Sequence, residues 1–230
     1  MLEKTKDDYN LIAEDFSRTR VFVSKKIKNW ILQYIFPGER ILDLGCGNGR
    51  FYEIFENMGV DYFGTDISDK LIALAKSKHP QANFQISSAF NLPFPDEFFD
   101  KVLSVAVFHH IPSEEFRIKF LKEVKRVLKP KGLLVLMVWN LNPFKMILIG
   151  KNKRVLNFLR CLILKILKKS ELDFNDFFIP WSNKCQRYVH YFSRNELVKL
   201  IRKSGLKMKK SGFLETGKKK EANIYLIAQK

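Results

Sequence analysis

The chain has 230 residues, 46% of them hydrophobic, which is enough for one well-filled core and does not require a second full domain. Its three cysteines, Cys46, Cys161 and Cys185, are widely spaced and form no C-x-x-C pair, which argues against a disulfide framework and against a zinc site. The net charge of +17 is one-ended: residues 1–143 carry 20 basic and 18 acidic side chains, residues 144–230 carry 21 and 6. Such a field favours a polyanion, nucleic acid first, although a lysine-rich proteome gives the same surface for solubility alone. No apolar run approaches a membrane span, and the stretch Met1 to Asp8 is too charged for a secretory leader. The expectation is a cytoplasmic protein with no stable membrane insertion.

After leading helices, the pattern predicts strand 41–44, helix 50–57, strand 60–65, helix 69–78, strands 83–87 and 100–106, helix 114–128 and strand 133–139. Strands alternating with helices in this order imply a parallel sheet covered on both faces. Helix 114–128 is marked by Ser113 as N-cap, Glu114 and Glu115 in its first turn, and Pro130 beyond its end. Residues 141–192 depart from the plain alternation and read as a basic helical insertion, with an apolar stripe at Leu156, Leu159, Ile163 and Ile166 or Leu167 beside basic residues from Lys145 to Lys169. That stripe suits a membrane surface, RNA phosphates or packing on the domain, and packing is the first expectation. A helix follows at 193–204, opened by a capping box of Ser193 and Glu196 and stopped by Gly205. Strands 206–213 and 223–229 come last, joined through Lys218, Lys219 and Lys220.

The stretch Ile41-Leu42-Asp43-Leu44-Gly45-Cys46-Gly47-Asn48-Gly49-Arg50 carries the chemistry, because an apolar strand runs into an acid and three alternating glycines. Glycine reaches positive φ cheaply and leaves room for a ligand against the backbone. The spacing is G-x-G-x-G, with Arg50 where a dinucleotide fingerprint has its third glycine, which disfavours a dehydrogenase. About twenty residues on, the second strand ends in Asp66, where an open α/β fold grips ribose hydroxyls, and Ser68 is the better N-cap of the helix that follows.

These residues resemble motif I of class I S-adenosylmethionine-dependent methyltransferases. The resemblance implies a Rossmann-like fold with a mostly parallel seven-stranded sheet, an antiparallel C-terminal strand and a single methyltransferase domain over 1–230. The segment from Ser87 to Asp100 resembles the part that touches adenine, with Ser88 in place of the usual acid and the backbone of Ala89 and Phe90 as further acceptors. The implied cofactor set is Tyr9, Asp43, Gly45, Gly47, Gly49, Asp66, Ile67, Ser88, Ala89, Phe90 and Val105, with Tyr9 in a lid.

Four segments narrow the resemblance to the tRNA methyltransferases that esterify 5-carboxymethyluridine at the wobble position. They are Tyr9 to Arg20, Val105 to His110, Val138-Trp139, and Asp176 to Trp181 with Gln186 to Phe192, which together extend over most of the chain. Ile224-Tyr225 stands where that family tends to have paired tryptophans. The resemblance implies tRNA as substrate, S-adenosylmethionine as cofactor and a small zinc-binding activator as partner. A carboxylate substrate is already an anion, so no catalytic acid or base and no metal is expected, and the task is alignment. Arg20 or Arg187 suits a two-pronged contact to the carboxymethyl group, with His109 and His190 secondary, and Trp139 and Trp181 suit stacking on an extruded base. Two other readings stay open: a small-molecule methyltransferase of quinone or natural-product type, and a catalytically silent RNA-binding subunit.

Overall fold

Near-continuous apolar runs make the central strands, because a parallel strand covered on both faces has no solvent side. β1 (Arg40–Leu44), β4 (Phe99–Val105) and β5 (Leu128–Val138) bury Ile41, Leu42, Val102, Leu103, Leu134 and Val135 completely. They pair in parallel, and β1 pairs onward with β2 (Asp61–Asp66), which pairs with β3 (Asn83–Ile86). β9 (Ala222–Gln229) runs antiparallel to β5, with Val138 opposite Ile224, and β8 (Lys207–Glu215) pairs antiparallel with β9. The order β3-β2-β1-β4-β5-β9-β8 is the mostly parallel seven-stranded sheet that the sequence led us to expect. This structure is a computed structural model, and it describes residues 1–142, 152–167, 172–215 and 222–230, with no side chains described at 152–154. Lys145, Lys151, Lys168, Lys169, the Lys218-Lys219-Lys220 turn and the side chains of Lys153 and Arg154 lie outside the described residues.

Helices cover both faces. α1 (Leu2–Leu11), α2 (Ala13–Thr19) and α3 (Lys25–Ile31) precede β1, and α4 (Tyr52–Phe55) and α5 (Asp69–Lys78) flank β2. One core gathers around Trp30, Ile31, Phe55 and Phe84, and the other around Phe120 and Val124 of α6 (Glu114–Val127) with Leu200 and Ile201 of α8 (Arg194–Lys203). The serines expected as caps do cap: Ser68, Ser113 and Ser193 accept from the amides of Leu71, Phe116 and Glu196 at 3.2, 3.3 and 3.1 Å. α4 is shorter than the 50–57 expected, since Phe51 at its N-cap offers no side-chain acceptor. β5 begins at Leu128 rather than 133, because α6 runs directly into it and Leu128 already pairs with Phe99.

The insertion differs from expectation in two ways. It is not wholly helical: α7 (Asn152–Ile166) is followed by an antiparallel hairpin of β6 (Asp176–Trp181) and β7 (Cys185–His190). Alternating aromatic and β-branched residues favour the hairpin, and Ser182 at φ +48° turns the chain between its strands. The apolar stripe of α7 also does not pack. Val155, Phe158 and Cys161 face the hairpin instead, with Phe158 edge-on to Phe177 at 5.4 Å, and the buried Lys165 ammonium donates to the carbonyls of Phe174 and Asp176 at 3.0 and 2.6 Å. Leu156, Leu159, Ile163, Ile166 and Leu167 face solvent. Among the described residues no helix is long and apolar enough to cross a membrane.

Candidate active site

A cavity of about 410 Å³ opens at the carboxyl ends of β1, β4 and β5, where an open parallel sheet leaves a crevice. The glycine loop after β1 forms one wall. Gly45 sits at φ +82°, and a Cβ there would collide with the side chain of Val107, so the backbone conformation and the close approach both require glycine. At the end of β4, Ala106 also takes positive φ, +63°, and turns the chain into the short helix Phe108–His110.

Asp66, at the tip of β2, accepts from the Gly47 and Ser68 amides at 2.9 Å each. Burial still pushes its carboxyl above the ordinary range. Each oxygen keeps a second lone pair, which suits it to hydroxyl donors. Gly45, Gly47, Asp66, Ile67, Ala89, Phe90, Val105 and Tyr9 all line the cavity.

Three members of the expected cofactor set do not line it. Asp43 lies beneath the loop, 1% exposed, and accepts from the Tyr62 hydroxyl at 2.8 Å. Gly49 faces away, at φ +74°, where a Cβ would stand 2.7 Å from the Phe84 ring. Ser88 closes its own turn by accepting from the Phe90 amide at 3.3 Å, and its neighbour Ser87 lines the cavity instead.

Burial raises the Asp43 carboxyl from 3.8 to about 7. The folded chain therefore keeps a proton that the unfolded chain has lost between those values. The stability this group contributes is full below about pH 4 and is lost as the pH rises through about 7. Asp43→Asn retains an oxygen for Tyr62 and removes the titration. The midpoint of thermal unfolding of the parent, relative to the variant, should fall by several degrees between about pH 5 and pH 8. A difference that stays flat with pH would contradict this account.

The other side of the cavity is cationic. Arg20 and Arg187 both line it, and both guanidinium groups lie on the Trp181 indole, 5.5 and 4.7 Å from its centroid. Arg187 also lies 5.4 Å from the Trp139 ring, which lines the cavity beside it. Arg187 is 6% exposed, its Nε has no hydrogen-bond partner, and among the described residues it forms no ion pair with a carboxylate. A buried cation without a counter-charge is costly unless a ligand supplies one. Arg20 and Arg50 are held below their ordinary values by burial and by neighbouring cations, Arg187 beside Arg20 and Arg20 beside Arg50.

Tyr9 and His110 link the lid to the floor. The Nδ1 of His110 is 2.7 Å from the Tyr188 carbonyl, so Nδ1 carries the proton, and its Nε2 accepts from the Tyr9 hydroxyl at 2.9 Å. Burial, with Arg187 nearby, pushes His110 down to about 4 and keeps it neutral. Burial also raises the Tyr9 hydroxyl above its ordinary value, with Arg187 opposing.

Three expected substrate residues are not at the cavity. His109 is fully buried against Trp139, 4.3 Å between ring centroids, and its Nδ1 accepts from the Trp139 amide at 3.4 Å. Trp181 is a platform whose face is taken by the two arginines, with Phe16 6.0 Å away. His190 is clamped, Nδ1 to Asp176 at 2.6 Å and Nε2 to Glu196 at 2.8 Å, so the Glu196 carboxylate serves His190 rather than a capping box. Sequence reasoning missed His110, Arg50, Phe16, Asn140 and Asn223, which all line the cavity. Arg50 had a signal, its place in the glycine pattern. Asn223 had none, since only the antiparallel β5–β9 pairing brings it to Met137, whose sulfur accepts from its side-chain amide at 3.5 Å.

The comparisons agree with this geometry. A family model described as a methyltransferase domain matches residues 42–136. The tRNA (carboxymethyluridine(34)-5-O)-methyltransferase of Schizosaccharomyces pombe is 30% identical over 245 residues, covering 96% of this chain and 94% of that protein. The Arabidopsis thaliana protein of the same description is 37% identical over 131 residues, 57% of this chain and 31% of its own. The chain spans about a third or less of the length of the plant and mammalian curated relatives it matches. Among solved structures, a SAM-dependent methyltransferase of Methanosarcina mazei superposes with a TM-score of 0.72 at 27% identity, over 87% of this chain and 96% of that one. A methyltransferase in complex with the Haloferax volcanii Trm112 activator gives 0.66 at 15% identity, over 98% and 96%, which is a likeness of fold. With its glycine loop, its acid at the tip of β2 and its seven-stranded sheet, and with a relative matched nearly end to end, the chain belongs to the tRNA (carboxymethyluridine(34)-5-O)-methyltransferase family of S-adenosylmethionine-dependent methyltransferases.

Proposed function

We propose that this chain binds S-adenosylmethionine in the cavity and esterifies the carboxylate of 5-carboxymethyluridine at the tRNA wobble position. The observation that carries the reading is Arg187, a buried guanidinium in the cavity wall with no carboxylate paired to it among the described residues. A planar fork of this kind suits an anionic, two-oxygen group.

The residues present fit the cofactor. Asp66 suits the ribose hydroxyls, Ala89 and Phe90 the adenine, and Arg20 or Arg50 the methionine carboxylate. Arg20 is tied to the glycine loop, since its carbonyl accepts from the Asn48 side chain at 3.2 Å. S-adenosylmethionine supplies an activated methyl group when bound. The chain's own work is to hold the substrate carboxylate at Arg187 and flank the base with Trp139. His110 acts as an anchor for Tyr9, because its two nitrogens are already committed.

The exposed Arg194, Lys199 and Arg202 of α8 suit the tRNA backbone. The chain acts as a single domain in the cytoplasm, assisted by a small zinc-binding activator subunit.

The test is methyl transfer from labelled S-adenosylmethionine to tRNA carrying 5-carboxymethyluridine, with and without a Trm112-type activator, followed by nucleoside analysis. The expected result is a methyl ester at the wobble nucleoside in at least one arm. Label on another nucleoside, or no label in either arm despite cofactor binding, would refute the proposal.

A further inference from the structure

The outward face of α7 has no role in the cavity or in the core. Leu156 is 67% exposed, Ile163 56%, Ile166 65% and Leu167 57%. Helical spacing of 100° per residue gathers these four and Leu159 into an arc of about 100°, adjoining the arc of the inward Val155, Phe158 and Lys165. Among the described residues Arg160 is the charged side chain on that outward side. Phe174, 68% exposed, lies at the carboxyl end of the helix, where its carbonyl takes the Lys165 ammonium. A contiguous apolar surface of this kind on a folded chain marks an interaction site.

Charge narrows the occupant. From 141 to 176 the sequence carries eight Lys or Arg against Glu171, Asp173 and Asp176; of these cations Arg160 is exposed on the described helix, Lys165 is buried, and the side chains of the other six lie outside the described residues. A second copy would set this basic stretch against itself. RNA would meet the charge, but its hydrated phosphates gain nothing from leucine and isoleucine, and its bases stack on aromatic rather than aliphatic groups. A surface that is anionic outside and hydrocarbon beneath satisfies both features. Among the described residues no helix is long enough to span a bilayer, and α7 would lie along the interface.

We propose that the outward face of α7 seats on an anionic lipid surface, its aliphatic side chains entering the headgroup boundary and Arg160 meeting lipid phosphates. This makes the chain a peripheral membrane binder, a property independent of the proposed methyl transfer.

The test is co-sedimentation of the full chain with phosphatidylcholine vesicles and with vesicles containing about one-third phosphatidylserine, for the parent and for an Ile163→Gln/Leu167→Gln variant. Both substituted residues are exposed, so the variant should keep the parent's thermal unfolding and cofactor affinity. The parent should bind the anionic vesicles at least about tenfold more tightly than the neutral ones, and the variant should lose most of that binding. Absence of binding to anionic vesicles, or equal binding by the variant, would overturn the proposal. So would a parent dimer in light scattering that dissociates in the variant, since the face would then belong to a second copy.

Discussion

Arg187→Ala should lower kcat/KM for methyl transfer to 5-carboxymethyluridine tRNA by about a hundredfold or more, the loss expected for a charge-assisted, two-pronged contact in a buried site. The loss should fall more on KM than on kcat. A carboxylate gives up its charge as it becomes an ester, so a guanidinium holds the starting anion more strongly than the reacting one. Arg187→Lys should recover only part of the activity, since an ammonium restores charge without the fork. Affinity for S-adenosylhomocysteine, measured by calorimetry, should change little, because Arg187 stands with Trp139 and Trp181 rather than with the glycine loop. An unchanged KM in the alanine variant would remove Arg187 from the substrate contact.

Asp66→Ala should weaken binding of S-adenosylmethionine and of S-adenosylhomocysteine alike by at least about a hundredfold, since hydrogen bonds from two ribose hydroxyls to one carboxylate are each worth roughly 1.5–3 kcal/mol. The same change leaves the Gly47 and Ser68 amides without their acceptor, so the glycine loop loses its brace as well as the ribose ligand. Asp66→Asn keeps an oxygen for one amide and should fall between the parent and alanine. Calorimetry with S-adenosylhomocysteine reads both variants, and an affinity within about threefold of the parent for Asp66→Ala would take the ribose contact out of the account.

The sheet was legible because its strands announce themselves twice, by apolar runs and by the punctuation between them. Gly45 and Asp66 were legible for the same reason, as each sits at the end of such a run, where a parallel sheet places its crevice. What was not legible turns on single-residue orientation. Ser87 lines the cavity and Ser88 does not, and His110 reaches it while His109 is buried behind it. In each pair, the turn after a strand decides which neighbour points inward, and no periodicity reports that. α7 shows the limit in another form. Both of its faces carry apolar residues, so the sequence marked the leucine and isoleucine stripe without telling that Val155 and Phe158 would take the inward side. The convergence of Arg20 and Arg187 on Trp181 depends on a hairpin folding back over α2, which spacing along the chain does not encode.

The central claim is that the cavity selects a carboxylate through Arg187. Its most direct test is a comparison of binding by two otherwise identical tRNAs, one with 5-carboxymethyluridine and one with the neutral 5-carbamoylmethyluridine at the wobble position, to the parent and to Arg187→Ala in the presence of S-adenosylhomocysteine. The account predicts that the parent prefers the carboxylate by at least about tenfold and that the alanine variant loses the preference. Equal binding of the two tRNAs by the parent, or a preference that survives the loss of Arg187, would contradict it.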